Sequence, residues 1–155
     1  MKREEIIQAI SDKFREMPTE TIMFHQAVAD VLGLHITDHK CLDLIDHFGA
    51  MPAGRLAELT GLTTGAVTGI IDRLEESGYV RRTNDPKDRR RTIVEPTINK
   101  KLEKKIEMLF IPLRNRMHKL LSSYSDSELA FLLDATTKMI EQTREEPKEL
   151  RNLQR

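Results

Sequence analysis

The amino-acid sequence predicts a mainly α-helical fold with one small β-hairpin. Apolar residues recur at helical spacing along most of the 155-residue chain. The spacing changes to that of β-strands only at residues 79–83 and 92–95. Between these two segments, Asn, Asp and Pro residues favour a turn, and three consecutive arginines follow them. These observations place a basic hairpin between helical segments.

The N-terminal third of the chain is predicted to form three helices. The first helix carries an apolar stripe at Ile6, Ile7, Ile10 and Phe14. Pro18 is expected to separate this helix from a second one, which ends at Gly33. Thr37 and Asp38 offer an N-cap for the third helix, whose apolar residues are Cys41, Leu42, Leu44, Ile45 and Phe48.

A short helix, a tight turn and a second helix come next. Pro52 stands at the start of the short helix, and Gly61 is free to adopt the positive φ of the turn. Thr63 or Thr64 can cap the second helix, which is expected to run to about Ser77 and to stop at Gly78. Its buried side is expected to contain Ala66, Val67, Ile70, Ile71 and Leu74. Its opposite side carries Thr64, Gly65, Thr68, Gly69 and Asp72.

Two more helices are predicted after the hairpin. Thr97 is expected to cap a long helix, and Pro112 inside that helix is expected to kink it. Ser125 and Asp126 begin the last helix, and a polar tail follows it.

Charge is unevenly distributed, although 25 Lys and Arg residues balance 25 Asp and Glu residues. Residues 81–116 contain twelve basic and five acidic residues, whereas residues 126–149 contain three basic and seven acidic ones. A basic middle with an acidic end is expected where one surface faces phosphate. The single cysteine, Cys41, cannot form an intrachain disulfide, and neither a signal peptide nor a membrane span is visible. These features predict a cytoplasmic protein.

Helix, glycine turn, helix and basic hairpin occur in the order of a winged helix-turn-helix. The major groove of DNA is about 12 Å wide and admits one α-helix. Small residues on the outer face of that helix let its backbone approach the bases, and threonine offers a hydroxyl and a methyl group. The alternative is that these residues form an ordinary solvated surface. Arginines crowded at a hairpin tip favour DNA binding over a solvated surface, because they repel one another unless an anion is bound.

The sequence resembles the MarR family of multiple-antibiotic-resistance regulators. The matching segments are Leu-Ala-Glu-Leu-Thr-Gly-Leu at 56–62, Val-Thr-Gly-Ile-Ile-Asp-Arg-Leu-Glu at 67–75, Gly-Tyr-Val-Arg-Arg at 78–82 and Asp-Pro-Lys-Asp-Arg-Arg at 85–90. The resemblance implies that Asp88 and Arg90 pair and stiffen the wing, and that an arginine enters the minor groove. Two departures are Pro96-Thr97, where the family has Leu-Thr, and Lys100, near a family glycine. Pro96 is therefore expected to end the second strand early.

This pattern predicts a sequence-specific regulator of transcription, with a ligand-responsive repressor as the expected type. An alternative is a winged helix that contacts proteins without sequence-specific DNA binding. The residues expected to contact DNA are Thr63, Thr64, Gly65, Thr68, Asp72, Arg73, Arg89, Arg90 and Arg91.

The terminal helices are predicted to form a homodimer that binds a pseudo-palindromic operator in duplex DNA. Their apolar stripes have no obvious partner in a small winged domain, although packing within one chain is an alternative. The residues assigned to the dimer are Ile6, Ile10, Leu109, Leu113, Leu120, Leu129 and Leu133. The predicted divisions are dimerisation helices at 1–36, a DNA-binding domain at 37–97, dimerisation helices at 98–146 and a tail at 147–155.

Several residues are candidates for sensing a signal. Cys41 lies among apolar residues and is expected to be a buried, inert thiol. His35, His39, Asp43 and His47 are four residues apart and could bind zinc if they lay on one helix face. We expect instead that the histidines lie on the surface and that the protein holds no metal and no cofactor. The resemblance implies a possible small lipophilic or phenolic effector, for which the candidate residues are His25, Met51 and Arg55.

An enzyme is not expected. The sequence contains no glycine-rich phosphate loop, no Gly-x-Ser-x-Gly motif and no cysteine with an obviously placed histidine.

Overall fold

The computed structural model describes residues 1–85, 91–97 and 99–152, and the side chains of these residues up to 144. It is mainly helical with a small antiparallel sheet, as the sequence predicts. The elements are α1 (Arg3–Leu32), α2 (Ile36–Phe48), β1 (Met51–Pro52), α3 (Ala53–Thr60), α4 (Thr64–Glu76), β2 (Val80–Asn84), β3 (Thr92–Pro96), α5 (Lys100–Leu121) and α6 (Asp126–Asn152).

The chain divides into two compact units, Met1–Leu109 and Phe110–Arg155, and the boundary lies within α5. The first unit contains α1 to α4, the sheet and the first half of α5. The second contains the rest of α5 and α6. None of the helices that the structure describes is long and apolar enough to cross a membrane.

Helix α1 runs without interruption through Pro18, so the expected break at this residue is wrong. Pro18 removes one helical hydrogen bond, but it is exposed, and water can bond the carbonyl left without a partner. The helix ends where Gly33 adopts the left-handed conformation, with φ of 72°. The amide of Leu34 then donates to the carbonyl oxygen of Ala29 at 2.9 Å, which closes the end of the helix.

Helix α2 begins earlier than the sequence indicates. Its N-cap is His35, whose Nδ1 accepts a hydrogen bond from the amide of Thr37 at 3.2 Å. The ring nitrogen replaces the hydroxyl or carboxylate oxygen that usually caps a helix, so Thr37 and Asp38 lie inside α2. The expectation of surface histidines is wrong for His39, which is 3% exposed.

The sheet has three strands in the order β1–β3–β2, and all pairs are antiparallel. Strand β1 was not predicted, because two residues are too few to show a periodic pattern. Strand β3 includes Pro96, opposite Val80, so its expected early end is wrong. Pro96 is the last residue of the strand, and the amide of Thr97 donates to the carbonyl oxygen of Tyr79 at 3.0 Å just beyond it.

The core of the first unit lies between α2, α3, α4 and the sheet. Its largest fully buried side chains are those of Cys41, Ile45, Leu56, Val67, Ile71, Leu74, Val80 and Val94. Ala66 was expected on the buried side of α4 but is exposed. It is the third residue of α4 and lies in the first turn, before the buried stripe begins at Val67.

The start of α5 also differs from the sequence prediction. Asn99 rather than Thr97 caps this helix, since its side-chain oxygen accepts from the amides of Lys101 and Leu102 at 3.2 and 3.3 Å. The hydroxyl of Thr97 instead donates to the carbonyl oxygen of Gly78. In the second unit, Glu128 accepts from the amide and hydroxyl of Ser125, which confirms the predicted start of α6.

Candidate nucleic-acid interface

Helices α3 and α4 are joined by a three-residue turn. Gly61 has φ of 71°, and its amide donates to the carbonyl oxygen of Ala57 at 2.8 Å. The hydroxyl of Thr63 then accepts from the amide of Ala66 at 3.2 Å and caps α4. The glycine and the cap therefore end one helix and begin the next within three residues, as the sequence predicts.

The outer face of α4 is open and carries small residues. Thr64, Gly65, Thr68 and Asp72 are exposed, while Val67, Ile70, Ile71 and Leu74 form the buried face. A Cβ atom added at Gly65 would meet nothing within 4 Å, so packing within the chain does not require glycine there. Because glycine has no side chain, another molecule can approach the backbone closely at this position.

The hydroxyl of Thr68 is already used within α4. It donates to the carbonyl oxygen of Thr64 at 2.9 Å, one helical turn earlier. Its oxygen can still accept a hydrogen bond, and its methyl group can contact an apolar surface. Thr68 is therefore suited to accept from a base amino group or to contact a thymine methyl.

Arg73 links α4 to the first turn of α2. Its Nε and Nη2 donate to the two carboxylate oxygens of Asp38 at 2.8 and 2.7 Å. Asp38 is 2% exposed, whereas more than half of the Arg73 side chain is exposed. Sequence reasoning missed the pairing of Asp38 with Arg73, because the two residues are 35 positions apart and no local pattern marks the pair.

Arg82 links the wing strand β2 to the same helix. Its guanidinium forms ion pairs with Asp72 and Glu75, and its backbone amide donates to Glu75 at 2.8 Å. The hydrogen bond from the Arg82 amide, followed by that from its guanidinium, lowers the pKa of Glu75 below its ordinary value. Sequence reasoning also missed the role of Arg82. A usable signal was present, because Asp72 and Glu75 are three residues apart on a helix that precedes a basic strand.

The base of the wing is a regular hairpin. Arg81 reaches across the sheet, where its Nε donates to Glu95 at 2.7 Å. The amide of Asp85 donates to the carbonyl oxygen of Arg91 at 3.0 Å, and Arg91 is exposed. Asp88, Arg89 and Arg90 lie outside the described residues, so their predicted roles are not tested.

Comparison with known proteins agrees with this architecture. Residues 34–92 match the model of the MarR family. An uncharacterised HTH-type transcriptional regulator of Bacillus subtilis, YcgE, is 40% identical over 149 residues, which are 96% of each chain. The chain belongs to the MarR family. It is accordingly a DNA-binding regulator of transcription.

Solved structures share this fold. The transcriptional regulator Tm0710 of Thermotoga maritima is 27% identical, with a TM-score of 0.62 over 96% of this chain and 99% of that one. A mutant of S. aureus MepR, bound to an oligodeoxyribonucleotide, shares the fold at 19% identity. Its TM-score is 0.57, over 86% of this chain and 97% of that one.

The three candidate effector residues of this MarR protein have different surroundings. His25 lies on α1, with its Nδ1 3.0 Å from Nε2 of His39. Met51 is buried in β1, and Arg55 is exposed on α3, where it pairs with Glu58. Arg55 and Arg91 line the same groove, but neither His25 nor Met51 lines it.

A separate cleft of about 650 Å³ lies between α2, the sheet and the start of α5. Its charged lining residues are Asp46, Arg81, Glu95, Glu103 and Glu107. Desolvation, together with Asp43 and Glu103, raises the pKa of Asp46. Because Arg81 already pairs with Glu95, the lining has an excess of negative charge, which disfavours an anionic ligand.

Cys41 is fully buried, as the sequence predicts, and burial raises the pKa of its thiol to about 11. Little thiolate is therefore present near neutral pH. Within the described part of the chain, no three His, Cys, Asp or Glu side chains are grouped to hold a metal ion.

The residues assigned to the dimer lie on α1 and on the last two helices. Ile6, Ile10, Leu120 and Leu133 are exposed, by between 45% and 70% of their surface. Leu109, Leu113 and Leu129 are half-buried. Large apolar side chains exposed along whole helices are the usual mark of a surface that another chain covers.

Proposed function

We propose that the protein binds duplex DNA as a homodimer, with α4 of each subunit in a major groove and the wing against the neighbouring backbone or minor groove. The supporting observation is the outer face of α4, where Thr64, Gly65 and Thr68 are exposed and the buried stripe fixes the opposite side. The dimer would present two such faces to a pseudo-palindromic operator.

Thr63, Thr64, Gly65 and Thr68 are proposed to meet base edges and the nearest phosphates. Arg89, Arg90 and Arg91 are proposed to contact the backbone or minor groove, with Asp88 bracing Arg90. Arg73 uses Nε and Nη2 for Asp38, and because its side chain is more than half exposed, Nη1 can still donate to a phosphate. Asp72 pairs with Arg82 through one oxygen, and the other can accept from a cytosine amino group.

Selection of bound fragments from a random DNA pool, followed by titration of the selected site, tests this proposal. Thr64→Ala and Thr68→Ala should weaken binding to the selected site more than binding to random duplex. Ser127→Ala, in the second unit, is the matched control and should change neither. An equal loss on both DNAs would show that these threonines do not read bases. Failure of the pool to yield any preferred sequence would contradict the whole proposal.

A ligand-responsive repressor in the cytoplasm is the finer form of this proposal. We infer that an effector bound in the cleft between α2, the sheet and α5 would be neutral or cationic, because the carboxylates that line this cleft would repel a phenolate. Addition of salicylate to the protein–operator complex should therefore leave operator affinity unchanged. Release of DNA at low salicylate concentration would argue for the phenolic class instead.

A further inference from the structure

Arg82 contacts three successive turns of the recognition helix α4. Its Nη2 lies 3.4 Å from the carbonyl oxygen of Thr68 and 2.5 Å from Asp72, and its Nη1 donates to Glu75. Positions 68, 72 and 75 lie on one face of a helix. Only 29% of the Arg82 side chain is exposed. One wing side chain is therefore bonded at three positions, between residues 68 and 75, to the helix that is proposed to read DNA.

The neighbouring arginine behaves differently. Arg81 is adjacent to Arg82 on β2, and successive side chains of a strand point to opposite faces of the sheet. Arg81 pairs with Glu95 of β3, is 55% exposed, and makes no ion pair with α4 among the described residues. The two arginines have the same charge and almost the same position in the chain, but only Arg82 joins the wing to α4.

We propose that Arg82 is a positioning residue for DNA recognition. It fixes strand β2 to the outer edge of α4, so that the helix and the wing meet the DNA in one geometry. A guanidinium donates in fixed, coplanar directions, so simultaneous bonds to two carboxylates set both the distance and the angle between the elements. This inference rests on the proposed role of α4 and adds a residue that touches no DNA.

Arg82→Gln should reduce discrimination between the selected operator and random duplex by about tenfold, the size of one good base contact. The loss should be concentrated on the operator, because random DNA does not require helix and wing to be aligned. Arg82→Lys keeps the charge but cannot bridge both carboxylates. It should bind random DNA as wild type does, and its discrimination should lie between that of wild type and that of Arg82→Gln.

Arg81→Gln is the matched control, since it removes the same charge one residue away. It should weaken binding to both DNAs to a similar small extent and leave their ratio unchanged. Circular dichroism and light scattering of each variant verify the fold and the oligomeric state. Retained binding to random duplex shows that the Arg82 variants are still folded.

The double variant Glu75→Gln, Arg82→Gln separates positioning from electrostatics, because it conserves net charge. If Arg82 positions the wing, discrimination should stay as low as in Arg82→Gln alone. Return of discrimination to the wild-type value would show that Arg82 only neutralises Glu75, and would overturn the proposal.

The outcome also distinguishes this inference from the proposed function. If wild type discriminates and Arg82→Gln matches Arg81→Gln, only the positioning role is wrong. If wild type shows no preferred DNA, the proposed role of α4 fails and the role of Arg82 fails with it.

Discussion

Asp72 and Arg73 are adjacent on α4, carry opposite charges and are bound to different neighbours. Asp72 pairs with Arg82 of the wing, and Arg73 pairs with Asp38 of α2. Helix α4 is thus joined by ion pairs to two different elements, the wing and α2. Of the carboxylates involved, Asp38 is the most buried, so breaking its pair is expected to cost the most stability.

Asp38→Asn should lower the free energy of unfolding by about 1–2 kcal/mol, less than for a fully buried pair because Arg73 is exposed to water. Asp43→Asn is the control: Asp43 lies on the same helix and pairs with Lys40 at 2.9 Å, but its side chain is 38% exposed and that of Lys40 is 60% exposed. That change should cost less than about 0.5 kcal/mol. Urea unfolding of both variants measures the difference, and equal costs would contradict the role assigned to Asp38.

His39 should make stability depend on pH. Burial, followed by the neighbouring His25, lowers the pKa of His39 below its ordinary value of about 6.5. The unfolded chain then binds a proton more readily than the folded one as pH falls. This contribution to stability should be complete above about pH 6.5 and should decrease as pH falls below that value.

Urea unfolding at pH 7.5 and 5.5 tests this expectation. The loss of stability at the lower pH should be smaller in His39→Gln than in wild type. His47→Gln replaces an exposed histidine of the same helix and should keep the wild-type pH dependence. A pH dependence unchanged by His39→Gln would show that other groups are responsible.

Helix α4 was predicted from sequence to within about one residue at each end. Thr63 supplies the cap, and Gly78 supplies the left-handed residue after the last turn, with φ of 76°. Both signals act over three or four residues, so a single sequence contains them. The same holds for the turn at Gly61 and for the start of α6 at Ser125.

The errors in the prediction come from longer-range effects. Pro18 breaks many helices, but here the surrounding amphipathic stripe continues through it. Strand β1 is defined only by its pairing with β3, where Met51 lies opposite Val94. The Arg73–Asp38 and Arg82–Asp72 pairs join residues 35 and 10 apart. The missed functional residues are those whose role depends on tertiary contacts.

A further prediction concerns Arg90 of the wing, which lies outside the described residues. Arg90→Ala should reduce the slope of log affinity against log salt by roughly 0.9 per lost phosphate contact, or about 1.8 for two subunits. Because an exposed ion pair contributes only about 0–1 kcal/mol, the melting temperature should hardly change. Fluorescence anisotropy titrations over a range of salt concentrations measure the slope.

Asp88→Ala provides the decisive comparison for the wing. If Asp88 holds Arg90 in place, this variant should bind DNA less tightly, even though it removes a negative charge. If Asp88 is a plain surface residue, relief of repulsion should tighten binding. Tighter binding with unchanged fold would reject the pairing of Asp88 with Arg90.

The exposed apolar residues of the terminal helices lead to a prediction for the whole molecule. Light scattering should give twice the chain mass of 17.9 kDa. If folding and association are coupled, the melting temperature should rise with protein concentration. Leu133→Glu places a charge on a side chain that is 70% exposed in the single chain and should weaken the dimer. Ser127→Glu, also exposed on α6, is the control and should not.

A two-fold dimer also fixes the spacing of its DNA sites. Two recognition helices on one face of the duplex should read half-sites whose centres lie about one helical turn apart, or roughly 10 base pairs. Insertion of five base pairs at the operator centre turns one half-site to the opposite face of the DNA. Affinity should then fall to that of an isolated half-site, because only one α4 can reach its groove. An operator that tolerates this insertion would show that the two DNA-binding units are not held at a fixed distance, and that each binds independently.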